Sequence, residues 1–161
     1  MYNVTFYLRR LHSLVGLLVL GIVILEHVMT NASSLGGPEA LNSGLAMMEL
    51  IPKPIFYGLE IFGIAIPLQA NCNPGRFGYM RNWMFTLQRW TAWYLVPFLI
   101  WHIFYLRIYT KGICGVPMSY ELLDSYFTNP IVVVLYTIGM LAAIFHFCNG
   151  ITTFCMTWGI A

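Results

Sequence analysis

The stretch PIVVVLYTIGMLAAIFHFCNGITTFCMTW, residues 130–158, indicates the fold class because it contains no Asp, Glu, Lys or Arg. A helix needs about 20 apolar residues to cross the hydrocarbon core of a bilayer, and this stretch is longer. Of the 161 residues in the chain, 59% are hydrophobic and only 9% are charged, whereas soluble domains carry about 25% charged residues. We therefore predict an all-α integral membrane protein.

Further apolar segments complete the predicted bundle. The first span runs from about Leu11 to Thr30 and the third from about Trp90 to Tyr109, while a short amphipathic helix is expected around Pro38–Leu50. The second apolar run, Ile55 to Leu68, would be only about 21 Å long as a helix, which is short for a full crossing. We predict one domain, residues 1–161, folded as an up-and-down transmembrane bundle of four helices.

The distribution of basic residues predicts the orientation of this bundle. One side of the membrane would hold five of the basic residues, namely Arg9, Arg10, Arg76, Arg81 and Arg89. The other side would hold Lys53, Arg107 and Lys111. Because basic residues are enriched in cytoplasmic loops, we expect a cytoplasmic N-terminus. The chain has no basic cluster of the kind that binds nucleic acid, and its four cysteines form no CxxC pair.

Six ionisable residues fall in or at the edge of the predicted spans: His12, Glu26, His27, Glu60, His102 and His146. Such residues are costly in lipid and usually serve a function or pair with another group. A single histidine is more often a structural hydrogen-bonding group, but all four histidines of the chain share this setting. At about 1.5 Å per residue, His27 and His102 lie in the outer half of the membrane, and His12 and His146 lie in the inner half. Paired histidines from different helices can bind a haem iron on both faces.

Other residues near these histidines have two interpretations each. Gly139, Ala142 and Gly150 share a helical face with His146, and they either leave room for a haem or allow close contact between helices. The carboxyls of Glu26 and Glu60 are candidates for a proton or quinone site. Basic and polar residues at the inner interface either contact haem propionates or set the topology; they are Arg9, Arg10, Ser13, Arg81, Trp83 and Arg89.

Several segments together resemble the dihaem cytochrome b subunit of succinate:quinone oxidoreductases, the membrane anchor of succinate dehydrogenase and fumarate reductase. The resemblance covers nearly the whole chain and is specific only in combination. The segments are FYLRRLHSLVG (6–16), EH (26–27), LEIF (59–62), RNWMFTLQR (81–89), WH (101–102), NPI (129–131), FHFCNG (145–150) and TWGI (157–160).

The resemblance implies a multi-pass subunit of the bacterial inner (cytoplasmic) membrane that passes electrons through b haem to or from a quinone, with menaquinone suggested. It implies a flavoprotein subunit and an iron–sulfur subunit docked on the cytoplasmic face. Succinate chemistry would occur in the flavoprotein, so we expect no succinate-oxidising site on this chain. Membrane lipid would surround the bundle.

The resemblance also implies two b haems, each held by two histidines. The outer haem would be held by His27 and His102, and the inner one by His146 and a histidine at the end of the second span. This sequence has no such histidine after Leu68. Either His12 substitutes for it, or only one haem binds, or residues are missing from the sequence. The family's fifth helix is also absent. His12, Ser13 and Trp83 match residues near the inner haem propionates.

Three rival functions remain open from the sequence. A proton or ion transporter that uses Glu26 and Glu60 would be colourless. A different membrane cytochrome, such as that of a hydrogenase or formate dehydrogenase, would bind haem but lack the segments RNWMFTLQR and LEIF. A purely structural anchor would bind no haem.

Overall fold

The computed structural model of the protein describes residues 4–48 and 78–160. The predicted second span, with Glu60, lies outside the described residues. Within them, three helical rods are long and apolar enough to cross a membrane: Phe6–Gly36, Met80–Ile113 and Pro130–Trp158. Most large apolar side chains on these rods are exposed, as expected where lipid covers the protein surface. The prediction of a helical membrane bundle is confirmed.

The first rod is continuous and contains the predicted span from Leu11 to Thr30. A π-helical segment, which is wider than an α-helix, separates its two α-helices. The first rod ends before Gly37, which has a φ of 93° that only glycine adopts readily. Its segments are α1 (Val4–Val15), the π-helical segment Gly16–Leu20, α2 (Gly21–Ala32) and a 3₁₀ turn, Ser33–Gly36.

The short helix expected after the first span is present as α3 (Pro38–Met48). It starts at a proline, a residue favoured in the first helical turn because its missing N–H needs no partner there. α3 folds back onto the end of α2, where Leu41 is only 1% exposed. A Cβ on Gly44 would lie 3.2 Å from Thr30 Cγ2, so glycine permits this close approach.

The second rod consists of α4 (Met80–His102) and a π-helical segment, Ile103–Ile113. The span was predicted to start at about Trp90, and the helix that contains it begins earlier, at Met80. The polar residues before Trp90 do not end the helix, because a helix can continue past the hydrocarbon core and expose polar side chains at the interface. The rod also extends past the predicted end at Tyr109.

The third rod is α6 (Pro130–Trp158), and its bounds agree with the predicted fourth span. The Asn129 side chain accepts a hydrogen bond from the Ile131 amide at 3.0 Å, which caps the first turn. Gly159, with a φ of 70°, ends the helix in the left-handed conformation that favours glycine.

A helix that was not predicted, α5 (Tyr120–Phe127), precedes α6. Ser119 caps it by accepting a hydrogen bond from the Leu122 amide at 3.3 Å. The Glu121 carboxyl accepts hydrogen bonds from the Glu121 backbone amide and from the Ser119 hydroxyl. These bonds hold the pKa of the carboxyl below its usual range.

The contact between α4 and α6 is the most extensive one in the described part of the chain. Its centre is Gly139, which is buried against the ring of Phe98. A Cβ on Gly139 would lie 2.6 to 2.9 Å from three atoms of that ring. At this position the small residue therefore serves close helix contact, and Phe98 fills the space beside it.

We predict that Gly139→Ala destabilises the bundle relative to Gly16→Ala. Both changes gain up to ~1 kcal/mol of helix propensity. Among the described residues, a Cβ on Gly16 would meet nothing within 4 Å, whereas a Cβ on Gly139 overpacks the contact at a cost of about 1–3 kcal/mol. Thermal unfolding in detergent should give the lower midpoint for Gly139→Ala. Adding Phe98→Leu to Gly139→Ala should recover part of the loss, and equal midpoints for the two alanine variants would contradict this account.

Candidate functional site

Two of the predicted site residues, His27 and His102, lie side by side although they come from different rods. His27 is on α2 and His102 is the last residue of α4. Their ring centroids are 5.7 Å apart and the ring planes are nearly perpendicular, at 89°. Both side chains are partly buried. The structure thus brings together the two histidines that depth along the helices had placed in the same half of the membrane.

Aromatic side chains surround His102. Its Nδ1 is 2.9 Å from the hydroxyl oxygen of Tyr136, on α6. The Phe98 ring stacks on the imidazole with a centroid distance of 6.1 Å and an interplanar angle of 13°. When the Tyr136 hydroxyl accepts a hydrogen bond from Nδ1–H, the lone pair of the imidazole is on Nε2 and faces away from Tyr136. This arrangement orients one nitrogen of His102 as a metal ligand.

Glu26 lies beside His27 in sequence and is also partly buried. One of its carboxylate oxygens, Oε1, accepts a hydrogen bond from the Thr30 hydroxyl at 2.9 Å. The other, Oε2, is buried and has no hydrogen-bond partner among the described residues. A buried carboxylate oxygen without a hydrogen-bond donor is energetically costly.

His146 lies on α6, against the N-terminal half of α4. Its Nδ1 is 3.1 Å from the carbonyl oxygen of Gln88 and 3.2 Å from the hydroxyl of Thr91. The other histidine predicted for the inner half, His12, lies on α1, which contacts α6.

Two of the predicted inner basic residues contact the last turns of α6. The Arg10 guanidinium donates a hydrogen bond to the Thr157 carbonyl at 3.3 Å and lies over the Trp158 ring, 5.1 Å from its centroid. Arg81 donates to the Met156 sulfur at 2.8 Å. These contacts place positive charge at the C-terminal end of a helix, where it is favourable.

The remaining inner residues lie on the same two rods. Arg89 lies over the Phe85 ring, with its guanidinium carbon 5.3 Å from the ring centroid. Trp83 is 41% exposed and Ser13 is partly buried. Arg9 is on α1.

Sequence reasoning missed the polar residues that contact the two histidines on α4 and α6, namely Tyr136, Gln88 and Thr91. It also missed Asn149, which donates a hydrogen bond to the Gln88 side chain. A signal was available, because polar side chains within an apolar run are expected to find partners inside the bundle. Periodicity gives the face on which such a residue lies, but not its partner on another helix.

A cavity of about 560 Å³ lies between the second rod and α5. It is lined by aromatic residues, including Tyr105, Tyr126 and Trp101, the residue that precedes His102. A mainly aromatic wall of this kind is suited to a flat ligand.

Comparison with known proteins gives the family. Residues 67–161 match the family described as succinate dehydrogenase/fumarate reductase transmembrane subunit. The chain belongs to this family. It is 37% identical over 170 aligned residues to the succinate dehydrogenase cytochrome b558 subunit of Bacillus subtilis (strain 168). That alignment covers 98% of this chain and 82% of the relative. No solved structure matches the chain.

The family match and the B. subtilis relative confirm the resemblance that was inferred from the sequence segments. The alignment of 170 residues is longer than this chain of 161. The relative therefore has residues within the aligned region for which this chain has no counterpart.

Proposed function

We propose that this chain carries electrons through b haem between an iron–sulfur subunit and a membrane quinone, as the anchor subunit of a succinate dehydrogenase or fumarate reductase complex. Its family membership supports this role, and the B. subtilis relative is a cytochrome b558 subunit of succinate dehydrogenase. The observation that carries the proposal is the juxtaposition of His27 and His102 from two rods.

His27 and His102 would hold the iron of one haem, with one imidazole supplied by each rod. The observed centroid distance is 5.7 Å. When bound, the haem would supply a one-electron redox centre. The protein orients the His102 ring through Tyr136 and packs it against Phe98, so that Nε2 is the ligating nitrogen.

We extend the proposal to an inner haem held by His146. The sequence supplies no histidine after Leu68 for its second ligand. His12 is the candidate substitute, since α1 contacts the helix that carries His146. Without such a substitute, only the outer haem would bind. The number of haems per chain therefore discriminates between these alternatives.

The quinone and the partner subunits have separate positions in this proposal. The cavity lined by Trp101 and Tyr126 is large enough for a quinone ring, and Trp101 precedes His102 in the chain. Menaquinone is the quinone that we propose, and Glu26 and Glu60 are the candidates to exchange its protons. The flavoprotein and iron–sulfur subunits would dock at the opposite end, near Arg10 and Arg81, on the cytoplasmic face of the bacterial inner membrane with the N-terminus on that side.

The experiment that tests this function is a dithionite-reduced minus oxidised spectrum of the purified complex, with haem quantified per chain. We expect a b-type band, and we expect His27→Leu and His102→Leu to lose the same haem because each removes one axial ligand. A matched control is Tyr94→Phe, which removes a hydroxyl bonded to the Leu135 carbonyl between the same two helices, α4 and α6, but leaves the histidines in place.

The outcomes of this experiment separate the rival functions. A wild-type complex without a b-type band would exclude the cytochrome function and favour a transporter or a bare anchor. Two haems, one of them lost in His12→Leu, would identify His12 as the substitute ligand. A single haem that is lost in His27→Leu or His102→Leu would mean that the inner haem does not bind, because the second apolar run lacks its histidine ligand.

A second prediction concerns the Tyr136 hydroxyl. Tyr136→Phe should retain the outer haem but raise its midpoint potential. Without a hydrogen bond from Nδ1–H, the imidazole is a weaker electron donor and stabilises ferric iron less. Each tenfold change in the relative affinity for the two oxidation states corresponds to about 60 mV in a one-electron titration. Tyr94→Phe is again the control, and an unchanged potential in Tyr136→Phe would show that the hydroxyl does not act on the iron through His102.

A further inference from the structure

A network of amide side chains joins α4 to α6 at the level of His146. The Gln88 side-chain amide donates a hydrogen bond to the His146 backbone carbonyl at 3.1 Å. The Asn149 amide donates to the Gln88 side-chain oxygen at 3.0 Å and to the Met84 carbonyl at 3.3 Å. Both residues are partly buried within the membrane-spanning rods. Hydrogen bonds between helices stabilise their association in lipid.

The backbone of α4 fixes the tautomer of His146. A carbonyl oxygen carries no hydrogen, so the contact of 3.1 Å between Nδ1 and the Gln88 carbonyl forms only when Nδ1 is the donor. The Thr91 hydroxyl has one hydrogen, which it donates to carbonyl oxygens of its own helix, that of Leu87 at 2.8 Å and that of Gln88 at 3.1 Å. Its oxygen therefore accepts from Nδ1, at 3.2 Å. The remaining ring nitrogen, Nε2, carries the lone pair that binds a metal.

This backbone contact depends on the height and rotation of α6 relative to α4. A shift of either helix would separate His146 Nδ1 from the Gln88 carbonyl. The Gln88 side chain holds the His146 backbone, and Asn149, less than one turn further along α6, holds the Gln88 side chain. Gln88 therefore contacts His146 twice: its backbone carbonyl meets the imidazole, and its side-chain amide meets the His146 backbone carbonyl.

We infer that Gln88 and Asn149 are positioning residues that hold His146 in the orientation and tautomer in which Nε2 binds the inner haem iron. This inference rests on the proposed function, because it takes His146 as an axial ligand. Residues that orient a histidine ligand through its other nitrogen typically change metal affinity or activity 10- to 100-fold when they are replaced. The side chains of Gln88 and Asn149 act indirectly: they hold α4 against α6, and this contact sets the hydrogen bond from His146 Nδ1 to the Gln88 carbonyl.

The test uses the intact complex with Gln88→Leu, Asn149→Leu and the double variant. We expect the haem content to be retained, and carbon monoxide to bind the reduced inner haem about tenfold faster or more, because a loosely held imidazole is displaced more easily. The midpoint potential and ferric EPR signal of that haem should shift, while those of the outer haem stay unchanged. The double variant should not exceed the larger single effect, since the two amides act as one unit.

Two controls separate a positioning role from loss of helix packing. Tyr94→Phe removes another hydrogen bond between α4 and α6, and its carbon monoxide kinetics should equal those of the wild type. If the leucine variants do not assemble, Thr91→Val replaces them, because it removes one acceptor of Nδ1–H and keeps the side-chain shape. Thr91→Ser keeps that hydroxyl and should restore the wild-type EPR signal.

His146→Leu distinguishes failure of this inference from failure of the proposed function. If His146→Leu loses one haem, and the Gln88, Asn149 and Thr91 variants keep wild-type carbon monoxide kinetics, potential and EPR signal, the positioning role is wrong and the cytochrome function stands. If His146→Leu retains every haem of the wild type, His146 is not a ligand, and both the inner-haem assignment and the positioning role are wrong.

Discussion

The absence of water in the hydrocarbon core is the constraint on which this structure depends. Lipid offers no hydrogen-bond partner, so each backbone amide in a span must bond within its own helix. That requirement explains three long rods in the described part of the chain. It also acts on side chains, because a polar group on a rod must find its partner on a neighbouring rod or on its own backbone. Polar contacts therefore set the register between helices that an apolar surface alone would leave undetermined.

The contact between α4 and α6 illustrates how these constraints combine. Phe98 packs into the space at Gly139 in the middle of the contact, and hydrogen bonds lie on both sides of it. On one side the Tyr136 hydroxyl meets His102, and on the other the Gln88 amide meets the His146 backbone. Apolar packing thus sets the distance between the helices, while the polar contacts fix their relative height. The first rod then brings His27 to His102.

The sequence predicted the parts of this arrangement that follow from local chemistry. Both ends of α6 were predictable because Pro130 and Gly159 act within one helical turn. The start of α4 was not, since polar residues at a membrane interface look alike in a helix and in a loop. Depth along the rods placed His27 and His102 in the same half of the membrane. No periodicity could pair Tyr136 with His102 or Gln88 with His146, because those contacts depend on the angle and height at which two helices cross.

The two histidines on α4 and α6 differ in what their Nδ1 atoms meet, and this difference has a chemical consequence. A hydroxyl can donate or accept, so the Tyr136 partner of His102 can adapt to either tautomer of the ring. The Gln88 carbonyl can only accept, so it fixes the tautomer of His146 before any ligand binds. The His146 site is thereby preorganised by a backbone atom that no single substitution removes. Its orientation depends on the contact between the two helices, so the side chains of Gln88 and Asn149, which hold that contact, affect the imidazole of His146 without touching it.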